Sequence, residues 1–171
     1  MKTKNIVITA LLMAFAIIIP VVFGGFLRII IPPFSATLAS HVPIFLSMFL
    51  GPIPATIVAI GSAIGFLISF PDPVIAARAL MHVGVVLVGA TLLKRNVGYW
   101  KVMGITAPIH GLLESLIVIP FVGLDLYQAF IVVGIGAMIH HMADAGITRG
   151  ILPALKLASP SFAENLHKKS A

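Results

Sequence analysis

The sequence predicts an all-α integral membrane protein: one domain, a bundle of six transmembrane helices, with both termini cytoplasmic. Three observations predict it. Of the 171 residues, 60% are hydrophobic and only 9% are charged, whereas a soluble domain carries about 25% charged residues. The apolar residues fall into six runs divided by Gly/Pro turns or basic clusters, on the scale of the ~20 residues that cross a bilayer. Nearly all lysines and arginines lie in segments that a six-pass chain leaves on one side, as the positive-inside rule requires. The net charge of +6 is therefore a topology signal, and no nucleic-acid partner is expected. The chain has no cysteine, which excludes disulfides, thiol nucleophiles and cysteine metal sites.

Each helix has its own signals. Helix one is expected over 5–23. Lys2 and Lys4 precede an apolar run from Ile6 to Phe23 that is too long for a signal peptide and lacks a small-x-small cleavage site. Gly24, Gly25, Pro32 and Pro33 end it, and an apolar outer loop with one charge, Arg28, follows. Helix two is expected over 36–50, kinked by Pro43 one turn after His41. The tight turn Gly51–Pro54 returns the chain into helix three, 55–70, where Gly61 and Gly65 offer a small-residue packing face. Pro71–Pro73 forms an outer turn. Helix four, 74–93, runs into the basic loop of Lys94, Arg95 and Lys101. Helices five and six are expected over 102–121 and 126–152, followed by a polar cytoplasmic tail, 156–171.

Three late helices carry polar steps that a purely structural bundle does not need. His110 and Glu114 lie four apart in the otherwise apolar ITAPIHGLLESLIVIP, on one helix face. Arg78 and His82 repeat that spacing in helix four, and His140, His141 and Asp144 cluster in helix six. An ionised carboxylate at such depth costs several kcal/mol unless paired, and intramembrane ionisable groups are functional by default. At ~1.5 Å rise per residue, Arg78, His82, Glu114, His110 and His140 converge on a cavity in the outer half. His41 and Arg28 approach it from helix two and the first loop. One of His140 and His141 is expected to face the site, because adjacent residues point in different directions. Asp144 and Arg149 count as too deep and are expected to pair near the cytoplasmic end. The structural alternatives are a His110–Glu114 stitch between helices and an Arg78 that snorkels to the headgroups.

Catalytic signatures are missing. There is no P-loop, no His-Glu-x-x-His and no Gly-x-Ser-x-Gly, so no enzyme activity, cofactor or ATP site is expected on this chain. His110-x-x-x-Glu114 and His140-x-x-x-Asp144 have a spacing compatible with metal ligation, but such pairs are common, and no metal site is assigned from them. A lined cavity without an energy source points to solute binding, with partners to move the solute.

These features resemble the substrate-binding (S) components of energy-coupling factor vitamin transporters, over nearly the whole chain. Ala10-x-x-x-Ala14 in helix one looks like the alanine motif that contacts the transmembrane coupling subunit. PPFSATLASHVPIFLSMFLGP, Pro32 to Pro52, is similar to the niacin-specific branch. The resemblance implies a substrate site on helices four to six plus the first loop, a coupling subunit, and two cytoplasmic ATPases that hydrolyse the ATP. Niacin suits the residues: Arg78 can hold a carboxylate bidentately, a histidine or protonated Glu114 can donate to the pyridine nitrogen, and Phe34 or Phe26 can cover the ring. Pantothenate or another small vitamin remains open. The alternative function is a stand-alone homodimeric proton-coupled carrier or channel.

Overall fold

The computed structural model describes residues 3–70, 72–123 and 125–158. Lys2, Pro71 and most of the expected polar tail lie outside them. Helix α1, Thr3–Phe23, leads into an antiparallel hairpin, β1 Arg28–Ile31 and β2 Phe34–Thr37, in which Arg28 faces Thr37 and Ile31 faces Phe34. Then follow α2 Val42–Met48, α3 Pro52–Ser69, α4 Pro73–Leu80, α5 His82–Lys94 and α6 Tyr99–Val122. A π-helical segment, Tyr127–Ile135, continues into α7, Gly136–Ala158.

Among the described residues, five helical spans are long and apolar enough to cross a membrane: α1, α3, α4 with α5, α6, and the π segment with α7. The chain is a multi-pass membrane protein. The segment expected as helix two departs from that pattern. Instead of a helix over 36–50, the chain makes strand β2, a turn, and a helix of only seven residues, all of them buried. The cause is a contact distant in sequence. The Asp144 carboxylate accepts the backbone N–H of Ala39 (2.7 Å) and of His41 (2.9 Å), donors that a continuous helix would have used internally. Ala39 takes a left-handed backbone, φ 69°, which a helix does not allow. Pro43 does not kink this helix; it sits in its first turn, where its missing N–H costs nothing.

The direction of each pass follows from packing. Gly61 and Gly65 of α3 lie flush against Met13 and Ile17 of α1. The two helices therefore run parallel, and residues 34–50 make the return between them. At the end of that return the Phe49 ring lies parallel to Tyr99, 6.0 Å away, which puts the Gly51 turn beside the Lys94–Lys101 loop. Leu152 and Leu155 join the same apolar cluster as Phe49, Leu93 and Tyr99. Both ends of the described chain thus lie at the basic end of the bundle.

Two breaks aim side chains inward. The fourth expected helix divides at Met81, where i→i−3 bonds (Met81 N to Arg78 O, 3.0 Å; Gly84 N to Met81 O, 3.1 Å) replace α-helical ones. The sixth begins with the wide π turn, a feature frequent at functional sites. The apolar core is split as well. One cluster, containing Phe45, Phe49, Tyr99 and Met103, fills the basic end, and a smaller one, containing Phe34, Val118 and Val133, fills the other. The polar residues sit between them.

Candidate solute-binding site

The expected residue pairs meet. Arg78 donates from Nε (2.9 Å) and Nη2 (2.7 Å) to Oε2 of Glu114, and His110 Nε2 lies 3.1 Å from the other carboxylate oxygen. All three side chains are buried. A buried pair with this geometry offsets the desolvation of both charges, and removing one partner costs ~3–5 kcal/mol. Arg78 is thus anchored within the protein and does not snorkel. Its guanidinium also lies over the Phe34 ring, 5.1 Å from the centroid.

A second node lies deeper. His41 Nε2 is 2.8 Å from His82 Nε2, and His41 Nδ1 is 3.1 Å from Asp144 Oδ2. His140 Nε2 reaches both Thr37 O and Asp144 Oδ2, each at 3.1 Å. Asp144 was expected to pair with Arg149 at the cytoplasmic end; it is instead the hub of this node, because the 39–41 turn descends to meet it. His141 also turns inward, 3.3 Å from His110 Nδ1 and 3.1 Å from Thr106 Oγ1. Of the two adjacent histidines, His140 lines the cavity, in keeping with at most one of them facing it, while His141 lies behind against His110 and Thr106.

The cavity is bounded by Arg28, His41, Arg78, His82, Glu114 and His140, with Ser35, Thr37 and Ser40 from the hairpin side. The volume open to the centre of a water-sized sphere is about 50 Å³, enough for a few waters at ~10–15 Å³ each on that measure. His110 stands behind Glu114, outside the lining. Phe34, expected as a lid over the ligand, is instead packed in the wall between Arg78 and Gly136. Phe26 is 70% exposed and stacks edge-on against Phe23, so it covers nothing. Helix α3 contributes Phe66, the residue that caps its end contributes Phe70, and α4 contributes Ile75. The sequence reading missed these apolar walls, and the i,i+4 aromatic pair beside the outer Pro-Asp-Pro turn was the available signal.

Besides the Thr37 carbonyl that meets His140, the hairpin is latched to the site at Ser35. Arg28 Nη2 donates to Ser35 Oγ (3.3 Å) and Arg78 Nη2 to Ser35 O (3.2 Å). Arg28 also lies over Phe70, 5.4 Å from the ring centroid. Strand β2 therefore closes the cavity through the same arginine that holds Glu114.

The niacin transporter NiaX of Lactococcus lactis subsp. cremoris (strain MG1363) is 34% identical to this chain over 177 aligned positions, spanning 93% of the chain and 78% of the relative. The chain belongs to this family. It is an S component of the niacin-type branch, a transporter component and not an enzyme. No protein-family model matches the chain, and no solved structure does. The cavity of this S component is lined by both charge, from Arg28, Arg78 and Glu114, and aromatic surface, from Phe66 and Phe70.

Proposed function

We propose that this S component captures niacin, as nicotinate, in the cavity beneath the hairpin and passes it inward with an energy-coupling factor module. That module comprises a coupling transmembrane subunit and two ATPases that hydrolyse ATP. The observation that carries the reading is Arg78, a buried arginine on the cavity wall whose Nη1 makes no hydrogen bond among the described residues. A ligand carboxylate there gains a charge-assisted bond without displacing Glu114. Phe66 and Phe70 supply an apolar flank for a pyridine ring, and the histidines supply donors or acceptors for its nitrogen.

The topology supports delivery. On this reading the chain crosses six times, five times as long helices and once through residues 34–50. Lys4, Lys94, Arg95 and Lys101 then lie on the cytoplasmic side with both termini. On this reading the hairpin lifts to admit the ligand and closes over it, since strand β2 is bonded to Arg78 and His140 of the cavity wall. The test is an equilibrium binding screen of the purified protein against water-soluble vitamins. Saturable binding of nicotinate, with weaker binding of nicotinamide and pantothenate, is expected. Transport by the chain alone in liposomes would replace this reading with the stand-alone carrier.

A further inference from the structure

Five histidines and two carboxylates meet at mid-depth, more than an aromatic monocarboxylate needs. Besides the histidines, the buried charged side chains among the described residues are Arg78, Glu114 and Asp144. Two carboxylates thus face one arginine, with Arg28 at the rim, and a missing positive charge in low dielectric is costly. Something cationic belongs here.

Ring nitrogens of His41, His82 and His110 approach within 4.8 Å of one another, and all three side chains are buried. The carboxylates stand behind them. Asp144 Oδ2 lies 3.1 Å from His41 Nδ1, so Nε2 of His41 points to His82; Glu114 Oε1 lies 3.1 Å from His110 Nε2, on one side of that ring. Asp144 stands behind His41 as a carboxylate stands behind many metal-bound histidines. Both ring nitrogens of His110, by contrast, have neighbours, Glu114 Oε1 at 3.1 Å and His141 Nδ1 at 3.3 Å, so ligation by His110 displaces His141. The alternative group of His41, His140 and Asp144 is less suited, because both Asp144 oxygens already accept backbone N–H groups. Two ring nitrogens of this trio call for a partner: Nδ1 of His41 and Nδ1 of His82 are buried without a hydrogen bond among the described residues, and such orphan groups mark a missing water or ion.

We propose that His41, His82 and His110 form a site for a divalent transition-metal ion of the Zn²⁺ type at the floor of the cavity. Three imidazoles at bond lengths of ~2.0–2.1 Å leave one tetrahedral position open, and two of the three, His41 and His82, line the cavity. Neutral imidazole suits this class of ion and disfavours Mg²⁺ or Ca²⁺. Where the niacin reading also holds, the ion completes the charge balance of Arg78, two carboxylates and an anionic ligand. This ligand set differs from the one that helix spacing offers: the carboxylates at i,i+4 orient the histidines instead of binding the ion.

The test uses the purified full chain, stripped with a chelator and titrated with Zn²⁺ alone by calorimetry and elemental analysis. One Zn²⁺ per chain is expected, with affinity at least tenfold weaker in His82→Gln and in His41→Gln. Zn²⁺ should also raise the melting temperature of the wild type but not of the variants. Substoichiometric uptake, or equal uptake by the His41→Gln/His82→Gln double variant, overturns the site. Protons on the histidines would then balance the carboxylates. Should a variant fail to fold, the wild type decides: no melting shift at saturating Zn²⁺ overturns the proposal. Because no vitamin is present, this outcome is independent of whether nicotinate binds.

Discussion

Arg78 makes four contacts at once: two bonds to Glu114, one to the Ser35 carbonyl and one face on Phe34. Arg78→Ala therefore has two separable effects. It leaves Glu114 buried without its charge partner, at a cost of ~3–5 kcal/mol, read as a lower melting temperature in detergent. It also removes a charge-assisted bond of ~1.5–3 kcal/mol to a carboxylate, so nicotinate binding should weaken at least tenfold. Nicotinamide, which lacks the carboxylate, should lose much less. Arg78→Lys should recover part of the nicotinate loss, since an ammonium cannot make the planar two-bond contact. Equal losses for both ligands would make Arg78 structural only. Asp144 gives a contrasting case. An asparagine there keeps one acceptor oxygen but turns an N–H₂ toward the second backbone donor. One of the Ala39 and His41 N–H groups is then buried unpaired, at ~1–3 kcal/mol. Asp144→Asn should melt well below Asp125→Asn, whose carboxylate caps an exposed N–H. At this scale the i,i+4 pairs were legible, because helix periodicity alone puts Arg78 with His82 and His110 with Glu114 on common faces. The role of Asp144 was not, because counting depth along one helix says nothing about how far another segment descends to meet it.

The elements show the same division. The five long spans follow from apolar length. The missing second helix does not, since its apolar residues suit a helix and a remote carboxylate decides otherwise. The outer loop was legible as an apolar cover but not as a hairpin, whose pairing joins residues on both sides of Pro32–Pro33. Its function as a gate has a clean test, because the chain contains no cysteine. Ala36 lies on β2 and lines the cavity. In Ala36→Cys, a water-soluble maleimide should react more slowly at saturating nicotinate if the latched hairpin closes over the ligand. An unchanged labelling rate would remove the hairpin from the binding cycle. The α1–α3 contact rests on glycines for a different reason. A side chain at Gly65 would occupy the space of Ile17, so Gly65→Leu should destabilise the bundle by ~1–3 kcal/mol or more. Gly104, with open space at its Cβ position, should accept alanine without loss of stability.

At the scale of the whole molecule, the cavity and the alanine face of α1 belong to different parts of the bundle. The site draws on the hairpin, α3, α4, α6 and α7, whereas α1 packs mainly on α3 and α2. Met13 and Ile17 make the inward contact of α1, and Thr9, Ala16 and Pro20 are buried. Ala10 and Ala14 lie on the other face and are exposed. Two exposed alanines one turn apart form a shallow groove in which another helix can approach closely, flanked by the exposed Leu11 and Phe15. If a coupling subunit docks on this face, as proposed, binding and delivery are separable by mutation. Replacing Ala10 and Ala14 together by tryptophan fills the groove without touching the core or the cavity. Nicotinate binding by the isolated variant should be unchanged, as should its melting temperature. Uptake by cells or proteoliposomes carrying the complete module should be lost, and the variant should no longer co-purify with the coupling subunit. Uptake at the wild-type rate would show that the partner docks elsewhere. Impaired nicotinate binding by the isolated variant would show that α1 is tied to the cavity, through its contacts with α2 and thus with the turn that carries His41.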